Sequence, residues 1–218
     1  MNLDIRFDFE RRKRIGLVEA IWGEHKTITQ LEKVVNEVLS NDEVALITRI
    51  NEKKANYLLS IFKNARFYLE AKCLVVGENK NKIITDRKVA ILAGGSSDLS
   101  VSLEAKIALE VYGVQCTTFI DIGVAGLHRL MSHLEAINKY DVVIVVAGME
   151  GALATVIGGL ISQPIIAVPV SVGYGVSKNG FAALNSMLSS CAPGITVMNI
   201  DNGYGAAMAS LRIIKLIN

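Results

Sequence analysis

The sequence predicts an α/β protein: a doubly wound parallel sheet sandwiched between helices (αβα) in the C-terminal part, with a smaller α+β module before it. Three observations predict this. Beyond Lys88, short β-branched runs alternate with segments of helical spacing, the pattern of a parallel sheet covered on both faces. Charge and glycine are unevenly divided, with 17 Lys+Arg, 13 Asp+Glu and 3 of the 18 glycines up to Lys88, against 6, 8 and 15 in the remainder. Nearly every β-branched run also ends in a loop that carries glycine and a few polar groups. The polar stretch 77–88, GENKNKIITDRK, reads as a linker, which gives a module over 1–84 and a main domain over 85–218.

Taken in order, 28–39 (ITQLEKVVNEVL) has helical spacing with Thr27 as its cap, 44–50 reads as a strand and 52–63 as a second helix. Cys73 falls in a further strand-like segment. The main domain offers strands at 89–93, 115–120, 141–147, 164–170 and 195–200, with helices at 98–112, 125–138, 150–161 and 178–190. The first of these helices takes Ser97-Asp98 as its N-cap and Gly113 as its C-cap. In such a domain the ligand site lies beyond the carboxyl ends of the strands.

Composition removes several classes of function. A 218-residue chain that is 51% hydrophobic and 20% charged is not intrinsically disordered. A net charge of +2 argues against a general nucleic-acid binder. Three irregularly spaced cysteines form neither a disulfide framework nor a zinc site, so a reducing cytoplasm is expected. The uncharged run 151–170 has the length of a membrane span, but Ser162-Gln163-Pro164 splits it and Pro169 interrupts its end. It reads instead as a buried helix followed by a buried strand, with no membrane role. The N-terminus, MNLDIRFDFERRKR, has no apolar stretch behind its basic residues, so no secretory signal is expected.

The strand-end loops supply the candidate site. Gly95, Ser96, Ser97 and Asp98 form a turn into a helix whose backbone N–H groups and hydroxyls suit phosphate or carboxylate; turn geometry alone explains the same residues. The next loops contribute Asp121, Gly123, His128 and Arg129, then Gly148, Met149 and Glu150, then Gly173, Tyr174 and Gly175, and finally Asp201 and Asn202. Neither a dinucleotide fingerprint nor a P-loop is present. Glu150 is the only charge in the 35 residues from Val142 to Val176. A carboxylate at the end of a buried strand is costly unless paired, ligand-bound or protonated, which suits a general base; helix N-cap chemistry is the other reading. Cys191 lies in a polar turn, SSCAPG, and is either an exposed nucleophile or an ordinary turn residue, whereas Cys73 and Cys116 read as core.

In this order and spacing, GGSSDLSV, DIGVAGLHRL, VVAGMEGALATV, IIAVPVSVGYG, NSMLSSCAPG and NIDNGYGAA resemble the LarB family, the pyridinium-3,5-biscarboxylic acid mononucleotide synthases of nickel-pincer cofactor biosynthesis. The resemblance extends into the first part through Asp8, Arg11, Arg14, Gly16 and Glu19, then Gly23, Lys26, Thr27 and Thr48-Arg49. Val18 and Ser100 stand where the family has proline, Val170 and Ser96 where it has threonine, and Gly94 where it has alanine. The resemblance implies a flavodoxin-like, PurE-like main domain that carboxylates the pyridinium ring of nicotinic acid adenine dinucleotide and hydrolyses the phosphoanhydride, releasing AMP. It implies catalysis by Cys191 and Glu150, carbon dioxide or bicarbonate as co-substrate, magnesium at the diphosphate with no ligands identified, and a homo-oligomer, by analogy an octamer. A weaker resemblance to the PurE aminoimidazole ribonucleotide carboxylases and mutases gives the second reading, although Gly151-Ala152-Leu153-Ala154-Thr155 stands where that family carries a histidine. A nucleotide-binding protein without chemistry is the third.

Overall fold

A computed structural model describes residues 7–217; Met1–Arg6, the start of the stretch read as lacking a secretory signal, lie outside the described residues. The chain divides between Lys82 and Ile83 into two compact units.

In the first unit, α1 (Arg11–Ile15) precedes β1 (Ile21–Trp22), α2 (Ile28–Ser40), β2 (Ala45–Thr48), α3 (Glu52–Ile61), β3 (Ala65–Tyr68) and β4 (Cys73–Val76). The sheet order is β1-β2-β4-β3, parallel at β1-β2 and antiparallel elsewhere. Thr27 caps α2 as its spacing predicts: Gln30 N donates to Thr27 Oγ1 at 3.2 Å and Thr27 N to Gln30 Oε1 at 2.8 Å. Leu31, Val34, Val35 and Val38 form the buried stripe of that helix, packed with Ile47, Ile50 and Leu74. The motif residues near the N-terminus are structural here. Arg14 grips Asp8 with two hydrogen bonds (2.9 and 2.6 Å), which lowers the Asp8 pKa, and Glu19 accepts the Asp8 amide at 2.9 Å. Gly16, at φ 71°, ends α1 in the left-handed conformation that glycine adopts without strain.

The second unit runs β5 (Lys88–Ala93), α4 (Leu99–Val111), β6 (Gln115–Phe119), α5 (Leu127–Ile137), β7 (Val142–Ala147), α6 (Ala152–Gly158), β8 (Ile165–Pro169), α7 (Phe181–Leu188), β9 (Ile195–Val197) and α8 (Gly203–Leu216). All five strands are parallel, in the order β6-β5-β7-β8-β9. Right-handed crossovers put α4 on one face and α5, α6 and α7 on the other. Leu130 and Ile137 of α5, Leu153 and Ile157 of α6 and Met187 of α7 close over Ala90, Leu92, Val143 and Val145. The opposite face is covered by α4 packed against α8. The uncharged run 151–170 resolves into α6 and β8, and among the described residues no helix is long and apolar enough to cross a membrane.

Several boundaries differ from the periodicity for local reasons. Ser96–Asp98 and Val124–Gly126 are 3-10 turns before α4 and α5. Asp98 turns back to accept the Gly95 amide instead of capping the helix. Gly151 at φ 67° delays the start of α6, and Asn179 and Gly180 at φ 65° and 77° delay α7. The helix α8, absent from the predicted elements, follows a glycine-rich start that reads as a ligand loop; Asn202 Oδ1 caps it by accepting Gly205 N at 2.8 Å.

Leu92 is fully buried at the centre of the second unit. Leu92→Ala should lower unfolding free energy by about 2–5 kcal/mol in urea titration. Thr27→Ala, which deletes one cap on the first unit, should cost about 1 kcal/mol.

Candidate active site

The strand order reverses between β5 and β7, because the chain leaves β5 in one direction to make β6 and returns past it to make β7. The loops beyond these two strands therefore diverge and leave a crevice. A cavity of about 230 Å³ lies there. Its wall is formed by Gly94, Gly95, Ser97 and Asp98 after β5, Gly123, Val124 and Ala125 after β6, and Ala147, Gly148, Met149 and Glu150 after β7, with Ala152 and Leu153 of α6 and Val172.

Close backbone approach holds the crevice together. A Cβ on Gly123 would lie 2.6 Å from the Gly94 carbonyl oxygen, and one on Gly148 would lie 2.5 Å from that of Val172. Met149 N donates to the same Val172 oxygen at 3.1 Å. Asp121, Met149 and Asp201 adopt left-handed φ of 60°, 51° and 58° at three of the strand-end loops, a conformation that costs a non-glycine residue about 1–2 kcal/mol. Such strain persists only where surrounding contacts over-determine the backbone.

Asp98 sits at the back of the crevice, 4% exposed. Its Oδ2 accepts Gly95 N at 2.9 Å, while Oδ1 faces Gly148 without a well-formed hydrogen bond. Burial raises its pKa, the Gly95 and Gly148 amides oppose the rise, and the Asp201 carboxylate adds to it. The Gly95 amide is thus occupied by a carboxylate, so the donors this turn leaves open are the exposed Ser96 and Ser97. Asp201 accepts Ser171 N at 2.8 Å, joining the loops after β8 and β9. Arg129 is ion-paired with Asp121, its Nε is buried without a partner, and His128 beside it is exposed.

Of the two residues expected to react, only Glu150 lines this cavity. Glu150 is not a buried strand-end carboxylate: Ala147 ends β7 and Glu150 stands exposed at the cavity rim. Cys191 is exposed, but it does not line this cavity. Its loop joins α7 to β9 at the amino ends of the strands, where Ser190 Oγ meets Thr155 Oγ1 at 2.8 Å and Ala192 packs on Gly158 near the end of α6. Gly173, Tyr174 and Gly175 form an exposed loop after β8, with Gly173 pressed against the Ser177 carbonyl. Val124, Ala125, Leu153 and Val172 give the cavity an apolar lining that the polar groups of the strand-end loops do not announce. Among the described residues, no group of three or more His, Cys, Asp or Glu is placed to hold a metal ion.

Residues 88–218 match the AIR carboxylase family, and residues 3–79 match the LarB/PurE-like N-terminal domain. The chain belongs to the LarB family. An uncharacterised protein of Methanocaldococcus jannaschii is 37% identical to this LarB-family chain over 227 residues, covering 98% of the chain and 85% of the relative. The N5-carboxyaminoimidazole ribonucleotide mutase of the same organism is 35% identical over 133 residues, which is 59% of this chain and 79% of that one. PurE of Treponema denticola shares the fold of the second unit, with a TM-score of 0.52 at 23% identity over 61% of this chain and 82% of its own.

The environments of the three thiols predict their reactivity. Burial pushes the Cys116 thiol up to about 12, and Cys73 is fully buried. Iodoacetamide on the native protein near neutral pH should alkylate Cys191 and leave the other two unmodified, as read by peptide mass spectrometry. Asp98 makes a second prediction. A carboxylate with a raised folded-state pKa favours folding at low pH and loses that contribution as pH rises from the ordinary 3.8 through its folded value. The stability of wild type minus that of Asp98→Asn should fall across this window and then level off. A difference that increases with pH would contradict burial as the dominant cause.

Proposed function

We propose that this protein carboxylates the pyridinium ring of nicotinic acid adenine dinucleotide and hydrolyses its phosphoanhydride, giving pyridinium-3,5-biscarboxylic acid mononucleotide and AMP, the first step of nickel-pincer cofactor synthesis. One observation carries the reading: a LarB-type N-terminal module and a carboxylase domain occur in a single chain whose carboxylase domain has an exposed thiol, Cys191, and a carboxylate, Glu150, at the rim of its cavity. The mutases matched over the second unit carry their name for chemistry on an imidazole ribonucleotide; here Gly151 to Thr155 lacks the histidine of the PurE family.

The cavity size supports a ring-sized occupant. At about 230 Å³ it lies below the roughly 300–1,000 Å³ of sites that enclose a drug-sized ligand, so a pyridinium carboxylate fits and the rest of the dinucleotide extends over the rim. The open Ser96 and Ser97 hydroxyls suit a phosphate there, and Arg129 would reach one by exchanging its pairing with Asp121.

The chemistry balances with a thiolate and a base. A cationic pyridinium does not attack carbon dioxide. Addition of the Cys191 thiolate forms a C–S bond and moves an electron pair onto the ring nitrogen, making the adjacent ring carbon enamine-like. That carbon forms the C–C bond to carbon dioxide and restores the charge on nitrogen. Glu150 then removes the proton from the newly carboxylated carbon, and the released pair expels the thiolate and restores aromaticity. Water supplies the atoms for phosphoanhydride cleavage. A homo-oligomer, by analogy an octamer, is the expected working form.

Purified protein supplied with bicarbonate and magnesium should convert nicotinic acid adenine dinucleotide to the biscarboxylated mononucleotide and AMP, read by mass spectrometry. Cys191→Ala should abolish ring carboxylation while circular dichroism stays native. Turnover of an aminoimidazole ribonucleotide that is indifferent to Cys191→Ala would instead identify a PurE-like enzyme.

A further inference from the structure

The first unit holds a second strand-end cluster, which the carboxylase chemistry does not use. β1 and β2 run parallel and are joined through α2, so this unit contains a βαβ arrangement of its own. In open α/β sheets ligands bind beyond the carboxyl ends of the strands. At that end residues 23–27 follow β1 and residues 49–51 follow β2. Gly23, Lys26, Thr27, Thr48 and Arg49, which carry the LarB resemblance in this stretch, are gathered there.

Backbone contact brings the two turns together. Gly23 N donates to the Thr48 carbonyl at 2.8 Å, and a Cβ on Gly23 would lie 2.9 Å from Ile47 and 3.1 Å from that carbonyl. Lys54, in the first turn of α3, reaches across and donates to the carbonyls of Gly23 and Glu24 at 2.9 and 2.7 Å. An ammonium has three N–H donors, so one is left over. Both partners are neutral, and among the described residues neither Lys54 nor Lys26 pairs with a carboxylate. Arg49 adds a third cation directly after Thr48, in a left-handed conformation at φ 52°.

Two side chains of another kind complete the cluster. Trp22 and Thr48 are register partners across β1 and β2, so they share one face, opposite the core residues Ile21 and Ile47. Trp22 is 50% exposed, and its indole is fixed by a hydrogen bond from Nε1 to Glu24 at 3.2 Å and by an edge contact with His25, centroids 4.8 Å apart. Thr48 is only 7% exposed, yet its hydroxyl has no hydrogen bond among the described residues. A buried hydroxyl without a partner carries a desolvation cost that a bound ligand relieves.

We infer that this cluster is a binding site for a nucleoside monophosphate, with Lys26, Lys54 and Arg49 holding the phosphate and Trp22 supporting the base. Cations without carboxylate partners suit a phosphate, and a fixed, half-exposed indole offers a face on which any base can stack. The site stands on the first unit's own residues and does not depend on the pyridinium chemistry.

Trp22 is the only tryptophan in the chain, so its emission reports on this site directly. AMP titrated into the full-length protein, with excitation where the nucleotide does not absorb, should protect the indole from acrylamide quenching in a saturable way, and inorganic phosphate should compete. Lys26 forms no hydrogen bond or ion pair among the described residues. Lys26→Gln should therefore keep a native circular dichroism spectrum while weakening AMP binding about tenfold, and Lys26→Arg should retain it. No protection of Trp22 at millimolar AMP would overturn the proposal. Protection by adenosine equal to that by AMP and indifferent to Lys26→Gln would overturn it as well, because the phosphate would then play no part.

Discussion

The site depends on one topological constraint, the reversal between the parallel strands β5 and β7 of the direction in which successive strands are added. Neighbouring parallel strands joined in a constant direction send their loops the same way and cover one another. At a reversal the loops part, and whatever binds must bind there. The chain then narrows that opening to about 230 Å³ by backbone contact, with Gly123 on the Gly94 carbonyl and Gly148 on that of Val172. Asp98 ties the turn after β5 from within, since its carboxylate takes the Gly95 amide and faces Gly148. Met149, one of its left-handed residues, is held by its own bond to the Val172 carbonyl.

Apart from Asp98, the cavity is lined by glycines and small or apolar side chains until Glu150 is reached at the rim. In the proposed reaction this mostly small and apolar lining faces a ring that alternates between a cation and a neutral dihydropyridine. Glu150 remains solvated in the single chain and loses water only when something covers the rim.

Much of the fold was legible in the sequence because its determinants are local. The run VVIVVA is buried along its whole length as β7, as a strand covered on both faces must be. Thr27 and Gln30 declare the start of α2 by the capping box they form. The helix α8 was not legible, since Gly203-Tyr204-Gly205 has low helix propensity and its start is held by long-range contacts, including the buried Glu104 carboxylate that accepts Tyr204 N at 3.2 Å. In the site, the strand-end loops pointed to the crevice, but two features needed three dimensions. The exposure of Glu150 depends on how many residues separate it from Ala147 in space, and the distance of Cys191 from the cavity follows from its place after a helix and before a strand. The latter is a topological fact available from the element order, obscured when motifs are read as though every loop faced the same way.

The most direct measurement is a structure of the assembled Glu150→Gln protein with nicotinic acid adenine dinucleotide bound. The account predicts the pyridinium ring in the crevice between β5 and β7, with a Cys191 sulfur within about 3.5 Å of a ring carbon. A ring bound away from that crevice, or one that no Cys191 sulfur approaches, would contradict it.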